Sequence, residues 1–317
     1  MSADNSTRGF TVLKPGILSL ITDLGRFGHH RIGLTSGGPV DPTAFRWANR
    51  LLGNDENASL LEASIGGLSL EAQLDTAIVV TGATVALKIN GLDAEMWRCH
   101  AIKAGDKIDL GFASEGCRSY LAVAGGFKVD AEFGSSTTVV RESIGGLNGD
   151  KLSAGDLLPC DARASHPLSV LPEESRPTYA KEINLKVIPG YQQHYFSRFQ
   201  QRQFFSSEYE VSDRCDRMGY RLTGAEIKPS VDGILSEGIC LGAIQVPADG
   251  QPIVLLNDRQ TIGGYPKIGS MVSLDVARLG QCMPGAKINF EPVTIDHAHN
   301  DLCLAESYFQ RTNVVSL

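Results

Sequence analysis

Residues 68–91, LSLEAQLDTAIVVTGATVALKING, carry the pattern that decides the fold. Apolar and polar positions alternate over short spans, and Asp75, Gly82 and Gly91 interrupt them, as in strands joined by tight turns. Working outward, KIDLGF at 107–112 and SYLAVAGG at 119–126 keep the same rhythm. So does FTVLKPGILSLITDLGRFGHHRIG at 10–33, which is broken by Pro15, Gly16, Gly25 and Gly28. One helix is expected in this half: Asp41 caps it, Pro42 takes the first position, and Phe45, Ala48, Leu51 and Leu52 make one apolar side before Gly53 and Asn54.

Residues 161–181, DARASHPLSVLPEESRPTYAK, hold three prolines and little periodicity, which marks a domain boundary. The expected division is 1–165 and 182–317. In the second half INLKVIPG reads as a strand and QQHYFSRFQQRQFFSS as a helix. EYEVS, YRLTG, AIQVP, IVLLN, MVSLD and KINFEPV read as further strands. Ile295, Ala298, Leu302, Ala305 and Phe309 recur at helical spacing behind Thr294, so a terminal helix is expected to seal this half. Two spacings repeat between the halves: Arg26-x-Gly28-x4-Gly33 with Arg217-x-Gly219-x4-Gly224, and Gly105-x-Lys107 with Gly285-x-Lys287. They suggest two copies of one small barrel, each offering an equivalent loop, with an arginine from each entering a cleft between the halves.

A length of 317 residues with 42% hydrophobic content supplies a core for two domains and argues against disorder. The balance of 29 Lys+Arg against 36 Asp+Glu leaves a net charge of -7, without the basic stripe that nucleic acid or an anionic membrane would need. No window has the apolar length of a membrane helix, and MSADNSTRGF lacks the layout of a signal peptide, so the expected compartment is the cytoplasm. The seven cysteines show no CxxC spacing, which disfavours disulfide scaffolds and zinc knuckles. His29-His30 and His297-x-His299 lack a third ligand and Cys215 lacks a histidine, so neither a metal nor a covalent thiol role is expected.

Three segments could carry chemistry. In residues 22–30, Asp23 and Arg26 either pair to tie down a turn or offer the arginine fork to an anion. In residues 36–42, SGGPVDP, the glycines form either an anion nest or the approach to the Asp41 cap. The lysine and Ser/Thr of a nucleotide P-loop are missing. Residues 242–268 are the densest: Asn257, Asp258, Arg259, Gln260 and Thr261 follow an apolar strand, and Gly263-Gly264 returns Tyr265 and Lys267 beside them. Such a set either lines an open pocket or closes a hydrogen-bonded network. In the pocket reading Asn257 and Gln260 grip an amide, Thr261 and Tyr265 bind beside them, and Asp258 or Lys267 moves a proton. Arg217 either holds an anionic substrate or joins an internal ion network.

DLGRFG, SGGPVD, ANRLLGN, LLEASIGG, SYLAVAGGF, DRMGYRLTG, GAIQVPADGQPIVLLNDRQTIGGYP and PGAKINF, in that order, resemble the biotin-dependent carboxyltransferase family, which includes a 5-oxoprolinase subunit, a kinase-inhibitor antagonist and the protein once called allophanate hydrolase subunit 2. Where the family's first motif usually reads Gln-Asp-x-Gly-Arg, Thr22 replaces the glutamine while Asp23, Gly25 and Arg26 match. The resemblance implies a predominantly β chain of tandem cyclophilin-like β-barrel domains with a few peripheral helices. It also implies an enzyme component that, with subunits A and B, uses ATP to open 5-oxoproline to L-glutamate. Carboxyl transfer from carboxybiotin to urea or a related amide is the alternative, with biotin needed only there; a non-catalytic regulator of a kinase-inhibitor-like partner is another. Self-association is compatible with each.

Overall fold

The computed structural model describes residues 8–317; the first seven, part of the stretch read for a leader, lie outside. Two β-rich units are built from alternating segments. One comprises the described residues up to Arg26 with Gly37–Thr178 and Asn313–Leu317; the other comprises Phe27–Ser36 and Tyr179–Thr312.

The first unit is a curled nine-stranded sheet. Its path runs Leu18–Thr22, Leu60–Ser64, Lys107–Val123, Leu68–Ala72, Gly9–Pro15 and Leu157–Pro159, with Thr76–Ile89 pairing to the long Lys107–Val123 strand. The stretches AIVVTGA and VALKI, read as separate strands, are one strand of 14 residues, and KIDLGF joins SYLAV in one of 17. Gly82 is the reason: it is a bulge in a continuous strand, where φ is 85° and a Cβ would fall 2.4 Å from the Arg118 carbonyl oxygen. Helix α1, Pro42–Leu51, forms as expected, with the Asp41 carboxylate accepting from Ala44 N at 3.1 Å. Phe45, Ala48, Leu51 and Leu52 are buried.

The second unit is a closed barrel of seven strands: Glu182–Pro189, Lys267–Met271, Ala243–Gln245, Ile253–Leu255, Gly219–Thr223, Tyr209–Cys215 and Lys287–Pro292. The last closes it by running parallel to the first. Ser197 caps α2, Arg198–Ser206, through a reciprocal capping box with Gln200, and Phe204 from α2 stacks on Phe290 at 4.6 Å. MVSLD is not wholly strand. Its strand ends at Met271 and α3, Ser273–Gly280, follows, because Val276, Ala277 and Leu279 bury one helical face while Asp275 accepts from Lys186 N at 2.6 Å. The terminal helix α4, Ile295–Arg311, corrects the expected seal: only Phe309 of its stripe is buried, whereas Ile295 and Leu302 are 70% and 45% exposed.

The second of the two repeated spacings is a real structural repeat. Gly105 and Gly285 occupy turns with φ of 92° and 87°. Each glycine donates its N–H to a residue of a neighbouring strand, Ala72 or Val211. That residue donates back to the carbonyl following the glycine. Gly155 makes the same exchange with Val12, a third copy that the sequence reading missed. The arginine spacing is not repeated in structure: a short 3-10 turn, His30–Ile32, follows Arg26, whereas the strand Gly219–Thr223 follows Arg217.

Phe204→Ala is expected to cost about 3–5 kcal/mol in urea unfolding, and Leu302→Ala no more than about 0.5 kcal/mol. A large cost at Leu302 would restore the sealing role.

Candidate functional site

The second unit contains a small cavity whose mostly apolar wall carries a few polar side chains. Pro189 lies opposite Gly269 in the pairing of Glu182–Pro189 with Lys267–Met271, and a Cβ on Gly269 would meet the Ile188 oxygen at 2.6 Å. Glycine lets the two backbones touch, and the chain then turns at once into a 3-10 segment that presents Tyr191 and Gln192. The short strand Glu237–Gly238, paired with Ile262–Gly263, brings Glu237 to the same place. Tyr191, Gln192, Glu237, Cys240, Lys267 and Ser270 line a cavity of about 140 Å³. Drug-sized sites begin at roughly 300 Å³, so this one suits a small ring or less.

Lys267 is only 8% exposed, and its ammonium is paired with the Glu237 carboxylate. A lysine taken this far out of water keeps its charge at acceptable cost only beside an acid. Tyr191 also donates to Glu237, as does Gln192 Nε2 at 2.7 Å, while Gln192 Oε1 accepts from Lys267 N at 2.9 Å. The Lys267 hydrogen bond, followed by that of Tyr191, holds the Glu237 carboxyl below the ordinary range, against the opposing effect of burial. The same bond raises the Tyr191 phenol, because losing its proton would put two anions together.

The other expected residues lie elsewhere. Arg217 grips Asp258 with two bonds, Nε to Oδ2 at 2.8 Å and Nη2 to Oδ1 at 2.9 Å, and both side chains are buried. Asn257 and Arg259 are buried too; Arg259 donates to the Ile239 and Leu256 carbonyls at 3.2 Å, and burial lowers its pKa. Gln260 and Thr261 are half-buried and Tyr265 is exposed. None of Arg217, Asn257, Asp258, Gln260, Thr261 and Tyr265 lines the Lys267 cavity. Within the 257–261 segment, Asp258 is thus engaged by Arg217 and Arg259 by backbone carbonyls.

In the first unit Asp23 and Arg26 bind one segment, 132–137. Asp23 accepts from Gly25 N at 2.9 Å, from the Ser135 hydroxyl, and from Ser136 N at 2.7 Å. Arg26 donates to the carbonyls of Glu132, Ser135 and Thr137 at 3.0–3.4 Å. Thr22, in the glutamine position, shares a 3.0 Å hydrogen bond with the Thr137 hydroxyl. The glycine nest of 36–42 is occupied from within: Gly38 N donates to Thr137 Oγ1, Val40 N to Glu62 Oε2 and Asp41 N to the Tyr120 hydroxyl. Among the described residues no group of three or more His, Cys, Asp and Glu is placed to hold a metal ion, and no helix is long and apolar enough to cross a membrane.

Sequence reasoning found Lys267 but missed Tyr191, Gln192 and Glu237. The available signal was that a lysine following an apolar strand needs an acid, yet the 36 acidic residues offer no way to choose it.

Residues 32–292 match the family described as the carboxyltransferase domain, subdomains A and B. The chain is 35% identical over 308 residues to the C subunit of the 5-oxoprolinase of Escherichia coli, covering 95% of this chain and 96% of that one. It is 30% identical to the urea amidolyase of Lachancea kluyveri over 92% of its length, but spans 17% of that protein. Among solved structures, the Kluyveromyces lactis urea amidolyase superposes with a TM-score of 0.90 at 29% identity; the match covers 98% of this chain and 20% of that one.

Two measurements check this geometry. Because the folded Glu237 carboxyl has a lowered pKa, its stabilising contribution is complete above the unfolded value of about 4.3 and is lost as pH falls through the folded one. The stability difference between wild type and Glu237→Gln should therefore hold steady from neutral pH down to about pH 5 and shrink below about pH 4.3; a gap undiminished at low pH contradicts the pairing. Separately, Arg217→Met should cost about 3–5 kcal/mol by stranding Asp258, and adding Asp258→Leu should recover most of that loss. A single variant as stable as wild type would mean that the pair does not brace the fold.

Proposed function

The chain belongs to the carboxyltransferase-domain family, and on that premise we propose that it is the lactam-handling component of an ATP-dependent 5-oxoprolinase. It would act in the cytoplasm with two partner polypeptides, subunits A and B. The observation that carries this reading is the match to the E. coli 5-oxoprolinase component along 96% of that relative.

Opening a lactam to an amino acid requires water to attack the ring carbonyl, negative charge to be stabilised on its oxygen, and a proton to reach the departing nitrogen. The Lys267 ammonium, nearly dry inside a small cavity, is suited to the second task and has protons to give for the third. We assign it the central role, with Glu237 holding its charge. Arg217 and Asp258, locked to each other, are assigned to bracing the 257–261 turn, whose Asn257, Gln260, Thr261 and Tyr265 would then meet the substrate or the partner. Asp23 and Arg26 are assigned to shaping the 132–137 segment.

ATP supplies the energy of the reaction, but the residues of the glycine nest do not fit it, since the amides of Gly38, Val40 and Asp41 are engaged inside the chain. We assign nucleotide handling to a partner. A second reading, carboxyl transfer from carboxybiotin to urea or a related amide, is favoured by the TM-score of 0.90 to the K. lactis enzyme.

Mixed with subunits A and B, ATP and 5-oxoproline, the chain should yield glutamate, and Lys267→Met should lower the release at least about tenfold. Avidin-sensitive incorporation of bicarbonate into urea without glutamate release would reject the first reading and support the second.

A further inference from the structure

We propose that Glu237 and Lys267 together read the edge of a cis amide, a ligand whose N–H and C=O project from the same side, as in a lactam or cyclic ureide. The inference deepens the proposed function and rests on its assignment of this cavity to the substrate.

The three donors that reach Glu237, from Lys267, Tyr191 and Gln192, all converge on Oε1. Among the described residues Oε2 accepts no hydrogen bond, and the Glu237 side chain is 33% exposed at the cavity wall. Lys267 shows the converse. Its ammonium carries three N–H groups and is bonded within the described chain to Glu237 alone, although the residue is only 8% exposed. Two charged donors are thus left over where burial makes unmatched N–H groups costly.

The cavity wall therefore presents an acceptor, Oε2, beside a donor, Nζ, with Oε1 joining them and the Tyr191 and Gln192 bonds fixing its position. A cis amide is complementary at both points: its N–H faces Oε2 and its carbonyl oxygen faces Nζ. A trans amide sends the two groups to opposite sides. A lactone has no N–H, and an N-methyl lactam puts a methyl group against a carboxylate. In each mismatch a polar group is left unpaired, which is where hydrogen-bonding sites discriminate most strongly.

The test is a ligand-observed NMR titration of the full chain with 5-oxoproline, its N-methyl derivative and the corresponding lactone acid. 5-Oxoproline should bind at least about tenfold more tightly than either analogue. In Glu237→Gln, which keeps an acceptor for the three donors but replaces Oε2 by an NH2 group, that preference should fall to within about threefold. Equal affinities for wild type, no binding of 5-oxoproline, or a preference unchanged in Glu237→Gln would each overturn the proposal. Glutamate release by the assembled complex is a separate readout. Discrimination without turnover rejects the 5-oxoprolinase assignment alone, and turnover without discrimination rejects the edge reading alone.

Discussion

A lysine ammonium almost removed from water, with one carboxylate oxygen beside it, is the constraint around which the second unit's cavity is organised. Its cost forces an acid to approach, and the Glu237–Gly238 strand exists in a place where it can. The acid is then fixed by Tyr191 and Gln192, which requires the 3-10 turn to begin directly after Pro189. That turn requires Gly269 to let the two strands touch. Local backbone geometry, barrel register and electrostatics are therefore parts of one arrangement.

Two ion pairs of the barrel unit, Arg217–Asp258 and Lys267–Glu237, differ in a way that bears on the proposed function. Arg217 and Asp258 match fork to fork, so both carboxylate oxygens are engaged from one side. Such a pair stiffens a turn and offers little to a ligand. Lysine cannot match a carboxylate in this manner, because its ammonium is a point charge with divergent protons. The Lys267–Glu237 pair thus keeps a donor and an acceptor open at the cavity wall. The chemical difference between the two cations separates a pair closed on both oxygens from one that leaves an oxygen open.

Much of the architecture was legible because strands and caps are local. Alternation between 68 and 126 announces the sheet, and Asp41-Pro42 announces α1. Gly82 was misleading, since a glycine that ends a strand and one that bulges it look alike until the partner strand is known. The stripe on α4 was legible as a helix but not as an exposed one, because periodicity reports a face and not what covers it. At the site, Lys267 stood out by its neighbourhood in sequence. Its partners did not: Glu237 is 30 positions away and Tyr191 and Gln192 about 75, so only the closure of the barrel brings them together. The polar run at 257–261 invited a pocket reading; of its side chains Asp258 is taken by Arg217 and Arg259 by backbone carbonyls, partners that no local pattern names.

The most direct measurement is a crystal structure of the chain with 5-oxoproline bound. The lactam nitrogen should lie about 2.7–3.2 Å from Glu237 Oε2, with the ring carbonyl oxygen at a similar distance from Lys267 Nζ. A lactam seated away from this cavity, or one whose nitrogen faces solvent while Oε2 stays unpaired, would contradict the central claim.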